Sequence, residues 1–152
     1  MNPLACAMHL TRNMTKTTVR DYMTPSPHTV GVALSLADAA ETMRRHRVRH
    51  LPVLRGGAVV GILSERDVQL ISGLPSVNPA SITVEDAMSE SVYTVSPETP
   101  LEEVAAEMAA HRYGAALVVG DRERLVGVFT TVDALYALAD GAPTKKQHPP
   151  RS

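Results

Sequence analysis

The sequence contains few aromatic residues, a single cysteine and no long hydrophobic run. Aromatic residues make up 3% of the 152 residues, and tryptophan is absent, which argues against a stacking platform for single-stranded nucleic acid. One cysteine cannot form an internal disulfide framework and is typical of a reducing compartment. Because no apolar run approaches the roughly 20 residues that span a bilayer, we expect no membrane partner and a cytoplasmic location.

The charges balance overall but are unevenly divided along the chain. There are 15 basic and 16 acidic side chains, for a formal net charge of −1. Residues 19–73 hold seven basic and five acidic side chains, whereas residues 84–140 hold three basic and eleven acidic ones. A hydrophobic content of 44% excludes disorder over most of the chain. At this length the chain should bury roughly 68–70% of the surface that it exposes when unfolded.

An internal repeat divides the chain into two copies. When Val19 is aligned with Val84, twelve of the 36 positions from 19 to 54 meet an identical residue, where ordinary composition would give about three. A one-residue insertion near 120–124 then changes the offset from 65 to 66. The repeat predicts five segments: an N-terminal extension (1–18), repeat 1 (19–73), a linker (74–83), repeat 2 (84–140) and a disordered tail (141–152).

Each copy predicts the element order β-α-β-β-α. In the first copy a brief strand at 29–30 precedes a helix over 35–46, which Ser35 and Asp38 should cap. In the second copy Thr99, Pro100 and Glu102 should do the same, with Pro100 at the first helical position. Strands over 50–54 and 58–63 follow, joined by a glycine turn, and a helix over 64–72 ends the copy. A copy of about 55 residues is small to fold alone, so we expect an α+β fold of two pseudo-symmetric repeats packed through their sheets.

The most informative motif lies where the last strand of each copy turns into a helix. The first copy reads Gly61-Ile62-Leu63-Ser64-Glu65-Arg66-Asp67, and the second reads Gly127-Val128-Phe129-Thr130-Thr131-Val132-Asp133. Free backbone N–H groups at such a turn form a natural phosphate site, and a carboxylate one turn later can accept from both ribose hydroxyls. The same spacing is also an ordinary capping box. Its occurrence at matching positions in both copies favours ligand binding.

These motifs, the repeat length and the element order resemble a tandem pair of CBS (cystathionine β-synthase) domains over residues 15–140. The first copy also has Arg49-His50-Leu51-Pro52-Val53, a stretch typical of that family. The resemblance implies a stand-alone regulatory module that binds adenosine nucleotides or S-adenosyl compounds in clefts between the copies. It also implies a homodimer that signals through an unidentified effector protein.

The resemblance further implies roles for individual residues. Main-chain groups of Thr29-Val30 and Thr94-Val95 would meet the adenine edge. Leu51, Pro52 and Ile62 would form apolar walls. Asp67 and Asp133 would hold ribose hydroxyls, with Ser64 and Thr130 at the phosphate. Arg66 would add a charged contact to phosphate, and Arg49 and His50 are the most favourable of the neighbouring basic residues for the same role.

The second copy departs from the pattern. It has Tyr113-Gly114-Ala115-Ala116-Leu117 in place of Val48-Arg49-His50-Leu51-Pro52, and Val132 in place of Arg66. With these replacements and its excess of acidic residues, the second copy is poorly equipped to bind several phosphates. We therefore expect unequal sites, with phosphate accepted around Asp67 and a weaker or less charged ligand around Asp133.

Other functions have less support in the sequence. The basic cluster at residues 44–50 could bind nucleic acid, but basic residues near a helix end also complement its dipole. Cys6, His9 and the other histidines lack the paired spacing of metal ligands, so we expect no metal site. No nucleophile elbow and no GxxxxGK[ST] loop is present, so we expect neither catalysis nor a cofactor.

The prediction is a regulatory module whose ligand is AMP, ADP, ATP, S-adenosylmethionine or a nicotinamide nucleotide; the sequence does not choose among them. The alternative is a structural dimerisation module with vestigial clefts, in which the two motifs serve only as helix caps.

Overall fold

The computed structural model describes residues 17–141, in which the element order β-α-β-β-α occurs twice. This confirms the predicted α+β fold class. The predicted N-terminal extension, apart from its last two residues, and the tail from residue 142 lie outside the described residues, as do Cys6 and His9. Within residues 17–141 no helix is both long and apolar enough to cross a membrane.

The elements of the first copy follow the hydrophobic pattern of its sequence. A 3-10 helix over Val19–Asp21 comes first, and four strands and two α-helices follow it. They are β1 (Thr24–Pro25), β2 (Val30–Gly31), α1 (Leu36–His46), β3 (His50–Arg55), β4 (Ala58–Ser64) and α2 (Glu65–Ser72). The side chain of Ser35 accepts from the Asp38 N–H at 3.1 Å, so helix α1 begins at the predicted cap.

The second copy repeats this order after a short helix. Its elements are α3 (Val84–Ala87), β5 (Thr94–Val95), α4 (Leu101–His111), β6 (Ala115–Val119), a 3-10 turn (Asp121–Glu123), β7 (Leu125–Thr130) and α5 (Thr131–Ala139). Helices α1 and α4 both end at an arginine in the left-handed conformation, Arg47 (φ 56°) and Arg112 (φ 59°). The two copies therefore end their first helix in the same way.

One local prediction is wrong. Pro100 precedes helix α4 as its N-cap rather than occupying the first helical position, and no side chain caps this helix. The hydroxyl of Thr99 instead accepts from the N–H of Ser96 at 3.1 Å. The Ser96–Thr99 turn therefore uses the hydroxyl that was expected to cap the helix.

Contacts group the described residues into two units that differ from the sequence repeats. The first unit comprises residues 26–93 and 121–125, and the second comprises 17–25, 94–120 and 126–141. The first segment of each repeat thus belongs with the strands of the other repeat. In the second unit Val19 N–H donates to the Thr99 carbonyl at 2.9 Å, and in the first unit Val84 N–H donates to the Leu34 carbonyl at 2.8 Å.

Each unit contains one small sheet. In the first unit the order is β2-β3-β4, with β2 parallel to β3 and β3 antiparallel to β4. In the second unit the order is β1-β7-β6-β5, because β1 adds antiparallel to β7. The sequence analysis did not predict β1, a strand of only two residues. The matching place in the first unit is held by an isolated bridge between Ile62 and Ser89.

The sheets and helices enclose apolar residues at helical and alternating spacing. The core of the first unit contains Val30, Leu36, Ala39, Met43, Leu51, Val53, Leu63, Val68 and Val84. Leu36, Ala39 and Met43 come from one face of α1, and Leu51 and Val53 from one face of β3. This packing fixes the end of β4 relative to α2.

Candidate functional site

The first candidate site is the corner where β4 turns into α2, which we call the first corner. Ser64 Oγ accepts from the Asp67 N–H at 3.0 Å, and an Asp67 carboxylate oxygen accepts from the Ser64 N–H at 3.0 Å. Glu65 N–H donates to the Arg49 carbonyl at 2.8 Å, which ties the start of α2 to the start of β3. These bonds hold Ser64, Asp67 and the Arg49 backbone in a single fixed arrangement.

The strand register brings four of the predicted site residues onto one face of the sheet. His50 is paired with Ser64, and Pro52 with Ile62, in the antiparallel ladder of β3 and β4. Side chains of directly paired residues lie on the same face, so these four share one face of the sheet beside the first corner, where Pro52 is buried and the other three are partly exposed. Leu51 lies on the opposite face, fully buried in the core. Its side chain is therefore not brought together with the others.

The remaining predicted residues of the first unit lie around this surface. Val30 is buried and pairs with Val53 in the parallel ladder of β2 and β3, and Thr29 immediately before it is exposed. Arg49 and Arg66 are both exposed, at the start of β3 and in the first turn of α2. The first unit thus combines a carboxylate, a hydroxyl, a histidine and two arginines on neighbouring strand and helix ends.

His50 is the titratable group that this environment changes. Partial burial lowers the pKa of His50, and the Arg49 charge lowers it further, while the carboxylates of Asp67 and Glu65 raise it. Burial is the largest of these effects, so the imidazole is neutral near pH 7. The first corner therefore presents a neutral imidazole beside a carboxylate.

The second candidate site is the corner where β7 turns into α5, which we call the second corner. Thr130 N–H donates to an Asp133 carboxylate oxygen at 2.8 Å, and the Thr130 hydroxyl lies 3.3 Å from the same oxygen. Thr131 N–H donates to the Gly114 carbonyl at 3.3 Å, the counterpart of the bond between Glu65 and Arg49. The backbone of the first corner is thus reproduced in the second.

The two corners differ in exposure. The Asp133 side chain is fully buried, whereas Asp67 is partly exposed. Ala115 and Val128 of the second copy are buried where the aligned His50 and Ile62 are partly exposed, whereas Leu117 is buried as Pro52 is. Val132, in place of Arg66, is 44% exposed. Thr94 is exposed and Val95 buried, as Thr29 and Val30 are in the first unit.

The hydroxyl groups of the two corners are also used differently. Ser64 Oγ accepts a backbone hydrogen bond, which leaves the hydroxyl proton available for donation to a ligand. The Thr130 hydroxyl donates a hydrogen bond to an Asp133 carboxylate oxygen. Both corners contain the capping box that the sequence offered as the alternative interpretation. Within residues 17–141 no group of three or more histidine, cysteine or acidic residues could hold a metal ion.

The helices that follow these corners also expose apolar residues that were not among the predicted site residues. Helix α5 exposes Val132, Leu135 (63%) and Leu138 (75%), at a spacing of three residues. Leu70 of α2 and Leu74 just after it are exposed by 62% and 50%. The helical spacing of Val132, Leu135 and Leu138 is readable in the sequence, but their exposure is not.

Comparison with known proteins identifies the family. The family model described as "CBS domain" matches residues 19–71 and 84–140. The chain is 30% identical to the CBS domain-containing protein YhcV of Bacillus subtilis over 118 residues, which cover 76% of this chain and 81% of that protein. It is 29% identical to L-aspartate semialdehyde sulfurtransferase of Methanocaldococcus jannaschii, but the match covers 22% of that longer protein.

Solved structures of CBS domain pairs are similar over most of the chain. The CBS domain pair of protein MJ0100, in complex with 5′-methylthioadenosine and S-adenosyl-L-methionine, has a TM-score of 0.75 at 27% identity, covering 82% of this chain and 98% of that one. CBSX2 in complex with AMP has a TM-score of 0.68 at 28% identity, covering 82% and 97%. Both of these neighbours contain adenosine ligands.

Proposed function

The chain belongs to the CBS domain family, and we propose that it is a regulatory module that binds an adenine nucleotide or a related adenosyl ligand. Ligand binding would favour one conformation of the protein, and a partner protein would recognise that conformation. The proposal assigns no catalytic step to this chain. The observation that carries it is the first corner, where a hydroxyl that can donate, a partly exposed carboxylate and two exposed arginines lie at neighbouring strand and helix ends. Structural neighbours of this chain hold AMP, S-adenosylmethionine and methylthioadenosine.

In the first unit, the proposal places the ribose and phosphate at the first corner. Asp67 accepts from the ribose hydroxyls with its carboxylate, and Ser64 donates to a phosphate oxygen. Arg49 and Arg66 supply charge-assisted contacts to phosphate. Pro52 and Ile62 provide the apolar surface beside them, and main-chain groups of Thr29 and Val30 meet the adenine edge.

In the second unit, the proposal assigns a weaker site or a less charged ligand. Thr94, Val95, Thr130 and Asp133 are the corresponding residues. No arginine stands at Gly114 or Val132, and the Asp133 carboxylate is buried and bonded to Thr130. A buried carboxylate that already accepts two hydrogen bonds has less capacity left for ribose hydroxyls.

A thermal-shift panel tests the proposal directly. The ligands are AMP, ADP, ATP, S-adenosylmethionine and NAD, and the proteins are wild type, Asp67→Ala and Asp133→Ala. At 100 times its Kd a ligand adds about 2.7 kcal/mol of stability, and we expect Asp67→Ala to remove that gain while Asp133→Ala retains most of it.

A matched control separates ligand binding from helix capping. Asp86 forms the same capping box with Thr83 at the start of α3, and no role in the ligand site is proposed for it. Asp86→Ala should therefore lower the melting temperature slightly and leave the ligand shift intact. Absence of a shift with every ligand in folded wild-type protein would contradict the proposal.

The second candidate function is a structural dimerisation module, and the exposed apolar residues Val132, Leu135 and Leu138 of α5 favour it. We propose that a second copy of this chain covers this face of α5, because a twofold axis sets the same apolar face of each copy against the other and exposed apolar patches mark interaction sites. A homodimer is compatible with either candidate function.

Sedimentation of the full chain tests the dimer. Leu135→Glu combined with Leu138→Glu places two charges in the apolar patch and should convert a dimer to a monomer. The matched control is Ala109→Glu with Ala110→Glu, two exposed positions of α4, which should sediment as wild type does. A monomeric wild-type protein would contradict the proposal that a second copy of the chain covers the apolar residues of α5.

A further inference from the structure

We propose that His50 takes up a proton when a phosphorylated adenosyl ligand binds to the first unit, so that this site favours phosphorylated ligands and binds them more tightly as the pH falls. The inference rests on the proposed function, because it concerns the same site. It adds a ligand class, the phosphorylated nucleotides, and a dependence on pH.

The position of His50 supports this role. His50 is the first residue of β3, pairs with Ser64 across the ladder and therefore lies on the same face as the Ser64 hydroxyl. The Glu65–Arg49 backbone bond and the Ser64–Asp67 bonds hold the surrounding segments in place. A phosphate that accepts from Ser64 would thus lie beside the imidazole.

The groups around His50 keep its imidazole neutral near pH 7, so an added negative charge can favour its protonation. The groups that act on it are Asp67 and Glu65 from α2 and Arg49 from the turn before β3. Burial lowers the pKa of His50 more than any of these charges changes it. A phosphate dianion would add negative charge at short range and favour the imidazolium form.

Protonation supplies a means of selection between ligand classes. An imidazolium can donate to phosphate and pair with its charge. Adenosine and methylthioadenosine carry no phosphate, so their binding adds no negative charge that would favour protonation of His50. The second unit has Ala115 at the aligned position, and therefore lacks this response. Binding of an unphosphorylated ligand at either unit should be nearly independent of the His50 charge.

Isothermal titration calorimetry measures the number of protons taken up when the ligand binds. AMP and adenosine are titrated into the full chain at pH 7.2, each in two buffers with different ionisation enthalpies. At this pH most AMP is already a dianion, since the second pKa of a phosphate monoester is about 6. We expect uptake of several tenths of a proton with AMP and none with adenosine.

Two variants assign the proton to His50. His50→Gln should lose the uptake with AMP, while the control His111→Gln, an exposed residue at the end of α4, should keep it. Any proton released by AMP itself is common to all three proteins and cancels in the difference. Between pH 6.5 and 8 the affinity of wild type for AMP should fall about threefold relative to His50→Gln, part of the tenfold limit that a pKa change of one unit on binding sets over the full pH range.

A spectroscopic measurement keeps the inference testable if His50→Gln does not fold. The imidazole of His50 in wild-type protein can be titrated by NMR with and without AMP, and its pKa should rise when AMP is bound. AMP binding with an unchanged His50 titration, or equal proton uptake in wild type and His50→Gln, would overturn the inference and leave the proposed function standing. Failure of wild type to bind any phosphorylated ligand of the thermal-shift panel would also overturn the inference, and failure to bind S-adenosylmethionine as well would overturn both.

Discussion

The two corners share a backbone and differ in how their carboxylates are used. Asp67 and Asp133 occupy the same position of the same motif, and each accepts from the N–H three residues before it. Asp67 is partly exposed and is bonded to a serine whose hydroxyl can still donate, whereas Asp133 is buried and accepts a hydrogen bond from the Thr130 hydroxyl. One repeated motif thus contributes to a candidate binding surface in one unit and to internal stability in the other.

Grouping the residues by contacts reduces the difference in charge between the two halves. The described residues of the second unit hold two basic and seven acidic side chains, a net charge of −5, and those of the first unit hold eight basic and nine acidic ones, a net charge of −1. The second unit remains the more acidic. Local arginines at the first corner, rather than the total charge of the unit, therefore distinguish the candidate phosphate site.

The largest expected effect is on stability and falls on the second corner. Asp133→Ala removes a buried acceptor from the Thr130 N–H and hydroxyl and should lower the free energy of unfolding by about 2–3 kcal/mol. Asp67→Ala should cost only about 1 kcal/mol, because water can replace its partly exposed carboxylate. Urea denaturation of both variants measures the difference.

The isosteric variant Asp133→Asn serves as the control for this comparison, since it keeps an acceptor oxygen in the same place and should recover part of the loss. Equal losses for Asp67→Ala and Asp133→Ala would show that exposure does not separate the corners.

The glycines that begin the two motifs should also respond unequally. A Cβ at Gly61 would lie 2.8 Å from the Ser89 carbonyl oxygen, whereas one at Gly127 would lie 3.1 Å from that of Thr24. Each would also meet a methionine sulfur, which can move. Gly61→Ala should therefore cost about 2 kcal/mol and Gly127→Ala about 1 kcal/mol, within the usual range for overpacking.

Gly31→Ala is the control for this pair, because a Cβ at Gly31 would meet nothing within 4 Å. The same urea experiment applies to all three. A Gly127→Ala protein less stable than Gly61→Ala would contradict the assignment of the tighter approach to the first unit.

A smaller effect concerns the pH dependence of stability. Because burial lowers the pKa of His50, the folded protein binds fewer protons than the unfolded chain once the pH falls below about 6.5, the ordinary histidine pKa. The stability that neutral His50 contributes to the folded protein is fully present above that pH and is lost as the pH falls through the lowered pKa. His50→Gln should flatten the fall in melting temperature between pH 7 and 5.5, and His111→Gln should not.

The flattening should be incomplete, because His46 responds in the same direction. Burial lowers its pKa, as do the neighbouring charges of His28 and Arg45, and its ring is stacked on that of His28 with the centroids 3.6 Å apart. A pH profile identical in His50→Gln and wild type would show that His50 is not perturbed in the folded protein.

Local patterns in the sequence predicted most of the elements but not their partners. The bounds of α1 follow from the Ser35 cap and from the apolar spacing of Leu36, Ala39 and Met43, which are local features. Strand β1 has only two residues and pairs with Val128 and Gly127, more than 100 positions away, so no local signal marks it. The grouping of the first segment of each repeat with the other repeat depends on the same kind of distant pairing.

The candidate site shows the same limit. Spacing alone located Ser64 and Asp67 together with Thr130 and Asp133, and the structure gives both pairs the same backbone arrangement. Exposure depends on what packs around each corner, so the sequence could not reveal that only Asp133 is buried. The alternation of β3, by contrast, was readable: Leu51 and Pro52 are adjacent in a strand and must face opposite sides.

The smallest expected effect concerns the exposed arginine of the first corner. Arg66→Val gives this corner the residue type that the second corner has at Val132. Because Arg66 is exposed in the first turn of α2, its contact with phosphate is largely screened by water, and its loss should weaken AMP binding only about threefold at low salt. Raising the ionic strength to 0.5 M should remove most of that difference.

Arg45→Val is the matched control, since it deletes another exposed arginine of the first unit that lies on α1 and not at the corner. It should change AMP binding less than Arg66→Val, and neither variant should affect adenosine. Equal, salt-sensitive losses in both variants would mean that the first unit attracts phosphate through its general basic charge. Arg66 would then contribute nothing specific to phosphate recognition, and the contrast with the second corner would rest on the Ser64 hydroxyl, His50 and the exposure of the carboxylate.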